Sequence, residues 1–139
     1  MENSPPRRHI FPRGIRFSDI DALRHVNNVR FFDFLEDARH ALLFLDLHQA
    51  GETPFRGLVV ARHEIEYRRP LNFQPEPVLV ETWVTGLRPV RFTLEHEVTS
   101  DGVVYASARS VMVAYDVERA APRRLEEDEL VHLKRYLAD

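Results

Sequence analysis

The hydrophobic pattern predicts one long helix near the start of the chain. Residues 29–47 contain no Gly or Pro, and apolar residues recur there at intervals of three and four, as one buried helix face requires. The recurring positions are Phe31, Phe34, Leu35, Ala38, Leu42 and Leu45. Asn27 or Asn28 is expected to be the N-cap. Gly51 and Pro54 then supply a stop signal after the helix.

Alternation of apolar and polar residues predicts strands over much of the rest of the chain. A short extended stretch covers 14–18, and longer strands are predicted at 59–68, 78–85, 90–99 and 103–115. Asp101 and Gly102 form a strong hairpin signal between the last two. Residues 126–138 suit a closing amphipathic helix, and residues 1–9 are expected to be a loose tail.

The order of these elements indicates an α+β fold in a single domain, residues 1–139. One early apolar helix followed by antiparallel strands suggests a sheet that curls around that helix. Because an open sheet has unpaired edges, pairing between copies of the chain is expected.

Composition narrows the function classes. The charge is 19 basic minus 22 acidic residues, or −3, which gives no global attraction to nucleic acid or anionic membrane. The absence of Cys excludes disulfides and a Cys nucleophile. Without a long apolar run or a signal-peptide pattern, a cytoplasmic protein without membrane contact is expected. No glycine-rich phosphate loop or metal-binding motif occurs, so no metal and no cofactor are expected.

Several charged or titratable side chains outside the loop described next are given structural roles. His63 and His96 fall on the apolar faces of predicted strands and are expected to be partly buried. Arg39 is expected to pair with a carboxylate on its own helix, Asp33 or Glu36. The remaining histidines outside the loop are expected to be exposed; they are His9, His40, His48 and His132.

The densest cluster of chemically useful side chains lies in the loop before the long helix. It consists of Asp19, Asp21, Arg24, His25, Asn27 and Asn28. Composition alone allows a solvated loop that caps a helix. A helix start also presents amide N–H groups with partial positive charge, which can stabilise a developing oxyanion. A nearby carboxylate can act as general base or nucleophile, so the loop has the minimum equipment for acyl transfer.

Several segments of the chain match one family signature. They are Ser18-Asp19-Ile20-Asp21, His25-Val26-Asn27-Asn28, Phe32, Glu36-Asp37-Ala38-Arg39 and, after the first long strand, Tyr67-Arg68-Arg69-Pro70-Leu71. In this pattern the chain resembles the acyl-CoA thioesterases related to 4-hydroxybenzoyl-CoA thioesterase, and plant acyl-ACP thioesterases carry a similar loop. The resemblance covers roughly residues 13–116.

This resemblance implies a hotdog fold, in which an antiparallel sheet wraps one long central helix and active sites lie at a dimer interface. It implies hydrolysis of an acyl-CoA thioester, with Asp21 as general base or nucleophile and His25 in the catalytic set. Asn27, Asn28 and Val29 would bind substrate, because the helix start near Asn28 would polarise the thioester carbonyl. CoA enters only as part of the substrate. The implied partners are acyl-CoA, an acyl carrier protein as the other carrier, and further copies of the chain in a homodimer or homotetramer.

The resemblance has two departures. Arg24 stands where many members have Gly, which leaves open whether the loop takes the same backbone conformation. Leu23 stands where the plant enzymes have an Asn, so chemistry that needs that Asn is not expected. Asp19 is given a structural role, and Glu36 a structural or interfacial one.

Substrate contacts outside the loop are assigned by residue type only. Arginines that suit CoA phosphates are Arg62, Arg68, Arg69, Arg88 and Arg91, and apolar residues that suit an acyl pocket are Phe31, Phe32 and Leu35. Two other activities stay open. One is a non-catalytic hotdog module that binds acyl-CoA or acyl-ACP, and the other is a hydratase or dehydratase, whose local motifs are not found.

Overall fold

The computed structural model describes residues 7–138, which form a curled sheet and a long helix. The strands are β1 (His9–Arg13), β2 (Leu58–Tyr67), β3 (Val78–Thr85), β4 (Arg91–Ser100), β5 (Val103–Asp116) and β6 (Ala121–Pro122). The helices are α1 (Arg30–His40), α2 (Asp46–Gln49) and α3 (Glu127–Lys134). A π-helical segment, Ala41–Leu45, joins α1 to α2, and a short 3-10 turn, Phe17–Asp19, follows β1.

The sheet is antiparallel, in the order β1-β3-β4-β5-β2, and β6 pairs with β5. The successive strands β3, β4 and β5 form two hairpins, and the β4–β5 turn has positive φ at Asp101 and Gly102, as the hairpin signal predicts. β2 does not pair with its sequence neighbour β3. It pairs with β5 along its whole length, with an irregularity between Val60 and Arg62, and so forms one edge of the sheet.

The long helix buries most of the face that its periodicity predicts. Leu45 is the exception and is 39% exposed, because the π-helical segment that ends at this residue changes the periodicity of the helix. Phe34, Leu35, Ala38 and Leu42 are almost fully inaccessible. On the sheet, the inward residues of β3 and β4 alternate with partly exposed ones, and burial of these apolar surfaces supplies most of the driving force for folding. The α+β prediction of an antiparallel sheet around one long helix, the hotdog architecture, is confirmed.

The predicted chain start is wrong in two respects. The first strand is not at 14–18, because the chain turns there, with the 3-10 turn at Phe17–Asp19. The strand lies earlier and begins at His9, which the sequence places in the loose tail. The sequence there reads Phe11-Pro12, and a proline suits an edge strand because it donates no ladder hydrogen bond; β1 is the edge beside β3. Residues 1–6 of the expected tail lie outside the described residues.

The closing helix is confirmed, although it ends at Lys134 rather than at 138. Two of the histidines expected to be exposed are buried instead. His132 on α3 donates through Nε2 to the carbonyl oxygen of Leu42 at 2.8 Å. His9 lies 2.6 Å from the Asp46 carboxylate through its Nε2 atom. His132 thus joins α3 to the π-helical segment, and His9 joins β1 to α2. Between residues 7 and 138, no helix is long and apolar enough to cross a membrane.

Candidate active site before the central helix

The loop between the 3-10 turn and α1 is closed by backbone hydrogen bonds. Ile20 and Val26 form an isolated antiparallel bridge, and the amide of Asp21 donates to the carbonyl oxygen of His25 at 3.1 Å. Asp19 is fully buried: its carboxylate accepts from the amide of Arg16 at 2.8 Å. Its carbonyl oxygen accepts from the amide of Asn27 at 2.8 Å. Asp19 therefore holds the loop together, as its predicted structural role requires.

The carboxylate of Asp21 is half-buried and held by two neutral donors. Its Oδ1 accepts from the amide of Leu23 at 2.9 Å, and its Oδ2 accepts from the side-chain amide of Asn27 at 3.0 Å. Each oxygen keeps a further lone pair for another donor. Asp21 is thus fixed in orientation without an ion pair among residues 7–138, which suits a carboxylate that must accept a proton or attack a carbon.

The helix start uses Asn27 as an organiser. Its Oδ1 accepts from the amide of Val29 at 2.9 Å, and its carbonyl oxygen accepts from the amide of Arg30 at 2.9 Å. The N-cap position itself falls at Val29, one or two residues later than predicted. The amides of Val29 and Arg30 are therefore both hydrogen-bonded. At the helix start, the amide N–H of Asn28 has no partner among the described residues.

Two features of the loop answer questions left by the sequence. Arg24 has a φ of 67°, the left-handed conformation that Gly adopts without strain. The loop therefore takes a glycine-like backbone conformation in spite of the arginine. The imidazole of His25 is half-buried and makes no hydrogen bond within the described part of the chain. His25 stabilises the loop through its carbonyl oxygen, which accepts a hydrogen bond from the Asp21 amide.

The segment after β2 supports this loop from the other side. The hydroxyl of Tyr67 donates to the carbonyl oxygen of Asn28 at 2.7 Å, and its ring lies edge-on to Phe31 at 5.3 Å between centroids. The carbonyl oxygen of Leu71 accepts from the amide of Val26 at 2.8 Å. The aromatic residue and the bend at Pro70 that the sequence singled out therefore brace the loop containing Asp21.

A polar row crosses the buried face of the sheet beneath α1. A hydrogen bond of 3.0 Å joins Thr82 to Nδ1 of His96, and one of 3.1 Å joins Nε2 of His96 to the hydroxyl of Ser110. His63 reaches the same hydroxyl at 3.0 Å. Burial and then the charge of Arg39 lower the pKa of His63, and they lower that of His96 to about 3. Burial is confirmed for both histidines: His63 is half-buried, and His96 is buried more completely than the sequence predicts.

The pairing predicted for Arg39 is wrong. Asp33 pairs with Arg30 instead, at 3.1 Å, and Glu36 affects Arg39 only over a longer distance. The reason is that Arg39 lies on the buried side of α1, whereas Glu36 is exposed. Sequence reasoning missed the polar row together with this buried cation. The available signal was the run of polar residues, Thr82, His96 and Ser110, at inward positions of three neighbouring strands.

The other assigned contacts are distributed over different surfaces. Phe31 and Leu35 are buried in the core, and of the three acyl-pocket residues Phe32 alone has substantial exposure, 38%. Arg62 forms an ion pair with Glu64, and Arg68, just after β2, forms one with Glu66. Arg69, Arg88 and Arg91 are exposed. No group of three or more His, Asp or Glu side chains suited to a metal ion occurs among residues 7–138.

Comparison with known proteins decides the family. The model of the thioesterase-like superfamily matches residues 15–133, most of the chain. The chain belongs to the thioesterase-like superfamily. No curated protein matches it.

Solved structures agree with this membership. A thioesterase from Thermus thermophilus, complexed with coenzyme A and Zn, is 31% identical, with a TM-score of 0.71 over 90% of this chain and 91% of that one. A predicted thioesterase from Bacillus stearothermophilus has a TM-score of 0.81 at 24% identity, over 96% and 98% of the two chains. A 1,4-dihydroxy-2-naphthoyl-CoA thioesterase from Synechocystis has a TM-score of 0.76 at 15% identity, over 92% and 96%. The last two similarities concern the fold of this superfamily member.

Proposed function

We propose that the protein is an acyl-CoA thioesterase that releases a free acid and CoA. The observation that carries the proposal is the Asp21 carboxylate, which is oriented by the Leu23 amide and by the side chain of Asn27, the residue before the unpaired amide of Asn28. Membership of the thioesterase-like superfamily and the likeness to the Thermus thermophilus thioesterase complexed with coenzyme A support an acyl-CoA substrate.

In the proposed reaction, the thioester carbonyl oxygen accepts from the Asn28 amide at the start of α1. Asp21 takes a proton from water, and the resulting hydroxide attacks the carbonyl carbon. The negative charge that develops on the oxygen is stabilised by the amide and the helix dipole. The C–S bond then breaks, and the CoA thiolate receives the proton from Asp21. In the covalent alternative, Asp21 attacks the carbonyl carbon directly, and the C–S bond breaks to release the CoA thiolate. Water then hydrolyses the resulting anhydride, which releases the acid and a proton and regenerates Asp21. His25 is the second proposed catalytic residue, and Asn27, Asn28 and Val29 form the proposed substrate-binding loop.

The decisive experiment measures thiol release from a panel of short, long and aromatic acyl-CoA esters. Asp21→Asn is expected to lower kcat by roughly 10²- to 10⁴-fold, the usual contribution of a positioned general base. The matched control is Asp101→Asn, because this turn aspartate has a φ of 50° that Asn adopts readily. Equal rates in the wild type and Asp21→Asn would refute the assignment of Asp21. Tight binding of the esters without release would instead favour a non-catalytic acyl-CoA-binding module.

We also propose that two copies of the chain associate through the edge strand β2. This strand pairs with β5 on one side, and Val59 and Val60 are each 40% exposed on it. An edge strand with exposed apolar residues favours pairing with a second strand. Light scattering should give the mass of a homodimer or homotetramer, and Val60→Glu should shift it towards the monomer. Val131→Glu on α3, where the valine is 47% exposed, is the control. Neither cofactor nor metal has a role in this proposal.

A further inference from the structure

Arg39 is a buried cation without an acceptor. Arg39 is 8% exposed, and its Nη1 atom is buried without a hydrogen-bond partner among the described residues. Two neighbouring acids on α1 are paired elsewhere, Asp33 with Arg30 and Asp37 with Arg13. The third, Glu36, is exposed and acts on Arg39 only through a longer-range charge interaction, without an ion pair. A buried guanidinium that lacks an acceptor is unfavourable, because it has lost its hydration without gaining a partner. The position therefore calls for an acidic group that residues 7–138 do not supply.

The sheet beneath the helix does not supply that group either. Both ring nitrogens of His96 are bonded within the polar row, to Thr82 and Ser110. His63 uses its Nδ1 atom for Ser110, and it is held in the neutral form by burial and by Arg39 itself, which lower its pKa. The positive charge in this region accordingly belongs to Arg39.

Arg39 lines a groove of about 430 Å³ between α1 and β2, a volume within the range of small-molecule sites. The apolar residues that line it are Leu43, Phe44, Leu58, Val60 and Met112. Its other polar lining residues, which are more exposed than Arg39, are Glu36, Asp37 and His40. A mostly apolar groove with one buried cation is suited to an apolar ligand that carries one acidic group.

The groove is aligned with the candidate active site because β2 runs antiparallel to α1. At the catalytic end, Tyr67 of β2 donates to Asn28. Midway, Phe32 lies against His63 with 5.5 Å between ring centroids. At the far end, Leu58 and Val60 lie beside the second half of the helix.

The distance along α1 from the candidate active site to Arg39 sets the length of the ligand. Val29 and Arg39 are ten residues apart, which at the helical rise is about 15 Å along the axis. Because helical side chains lean towards the N-terminus, the guanidinium lies somewhat nearer to Asn28 than its own backbone does. A chain of medium length that starts at the helix N-terminus can therefore reach Arg39.

We propose that Arg39 binds a carboxylate at the far end of the acyl chain, so that the preferred substrates are CoA half-esters of medium-chain dicarboxylic acids. This inference rests on the proposed thioesterase function and specifies its substrate class. The planar guanidinium can bind both oxygens of a carboxylate at once. Phe32, which is partly exposed, lies where the middle of the chain would pass.

The test compares kcat/KM for pairs of equal length, suberoyl-CoA with octanoyl-CoA and sebacoyl-CoA with decanoyl-CoA. The wild type should prefer the carboxylated ester by about tenfold or more, the range of a charge-assisted hydrogen bond. Arg39→Met should abolish that preference, and Arg39→Lys should retain part of it. The control is Arg119→Met, which removes an arginine exposed in the β5–β6 turn. The same ratio in the wild type and Arg39→Met would overturn the inference.

Two further readouts separate this inference from its rivals. Because Arg39 has no partner to lose, Arg39→Met should fold with an unchanged or higher Tm; a large fall in Tm or a changed oligomeric mass would place its acceptor within the protein and overturn the proposal. If no ester is hydrolysed, neither octanoyl-CoA and suberoyl-CoA nor any of the short, long and aromatic panel, the proposed function fails. Calorimetric binding measurements then test the Arg39 site by itself. Tighter binding of suberoyl-CoA than of octanoyl-CoA, with the difference lost in Arg39→Met, would support the site. Equal binding of the two esters would refute it.

Discussion

His96 should make the stability of the protein depend on pH through its burial. It is 1% exposed in the middle of β4. Burial, and then the charges of Arg39 and His63, lower its pKa to about 3. In the unfolded chain a histidine has a pKa of about 6.5. Between these two values the unfolded chain binds a proton that the folded chain does not. The stabilisation is therefore complete above about pH 6.5 and is lost as the pH falls towards 3.

The magnitude follows from the size of this shift. Each pH unit within the window costs about 1.4 kcal/mol, so the full interval from about 6.5 to about 3 corresponds to about 5 kcal/mol. The substitution His96→Gln replaces the ring by a polar group that does not titrate. Between about pH 7 and about pH 4.5, the wild type should lose about 2–3 kcal/mol more stability than the variant does.

Urea unfolding measured at several pH values tests this expectation, with the fluorescence of Trp83, the single tryptophan, as the signal. Subtracting the free energy of unfolding of the variant from that of the wild type at each pH removes the contribution of groups that titrate in both proteins. His48→Gln, at an exposed position of α2, controls for replacing an imidazole by an amide. Parallel loss of stability in wild type and His96→Gln would refute the reasoning. So would a wild-type NMR titration in which the imidazole of His96 becomes protonated above about pH 5, a measurement that does not depend on the variant folding.

Three other substitutions test local features of the fold. Glu129→Gln should lower the free energy of unfolding by about 3–5 kcal/mol in urea titrations, because Glu129 is 1% exposed and Arg123 would keep a buried charge without its counterion. Gly57→Ala should lower Tm sharply or prevent folding, since a β-carbon there would overlap the carbonyl oxygen of Tyr115; an unchanged Tm would contradict the local geometry. Arg24→Gly should raise the free energy of unfolding by at most about 1 kcal/mol in thermal unfolding. Glycine adopts the positive φ without strain, and this gain exceeds the entropy that glycine adds to the unfolded chain.

The sequence predicts this fold well where periodicity alone decides the structure. The apolar stripe of α1 and the alternation along β3, β4 and β5 each correspond to an element of the structure. The pattern misplaces the first strand because β1 is short, carries a proline and is defined by its pairing with β3. Such a pairing between distant segments leaves little trace in local alternation. The burial of His9 depends likewise on a distant residue, Asp46.

The candidate site could be located from the sequence but not built from it. The resemblance directs attention to Asp21 and the helix start, and the structure adds which donors hold Asp21 and which amide is left unpaired. The isolation of Arg39 could not be inferred, because spacing along a helix says which side chains are neighbours and not which of them face the core. The roles of Asp21, His25, Asn27, Asn28 and Val29 in catalysis and binding remain predictions for the experiments above.

The pairing of β2 with β5 has a consequence for the order in which the protein folds. Leu58 pairs with Ala114 and Tyr67 with Ala106, so the chain must close long loops before β2 is in place, whereas β3, β4 and β5 can zip together as local hairpins. The loop that holds Asp21 is braced by Tyr67 and Leu71, at the end of β2 and just beyond it. The loop that holds Asp21 is thus assembled with the slowest contacts. In a refolding experiment, recovery of enzymatic activity would report the arrival of β2, after the hairpin strands have formed most of the sheet.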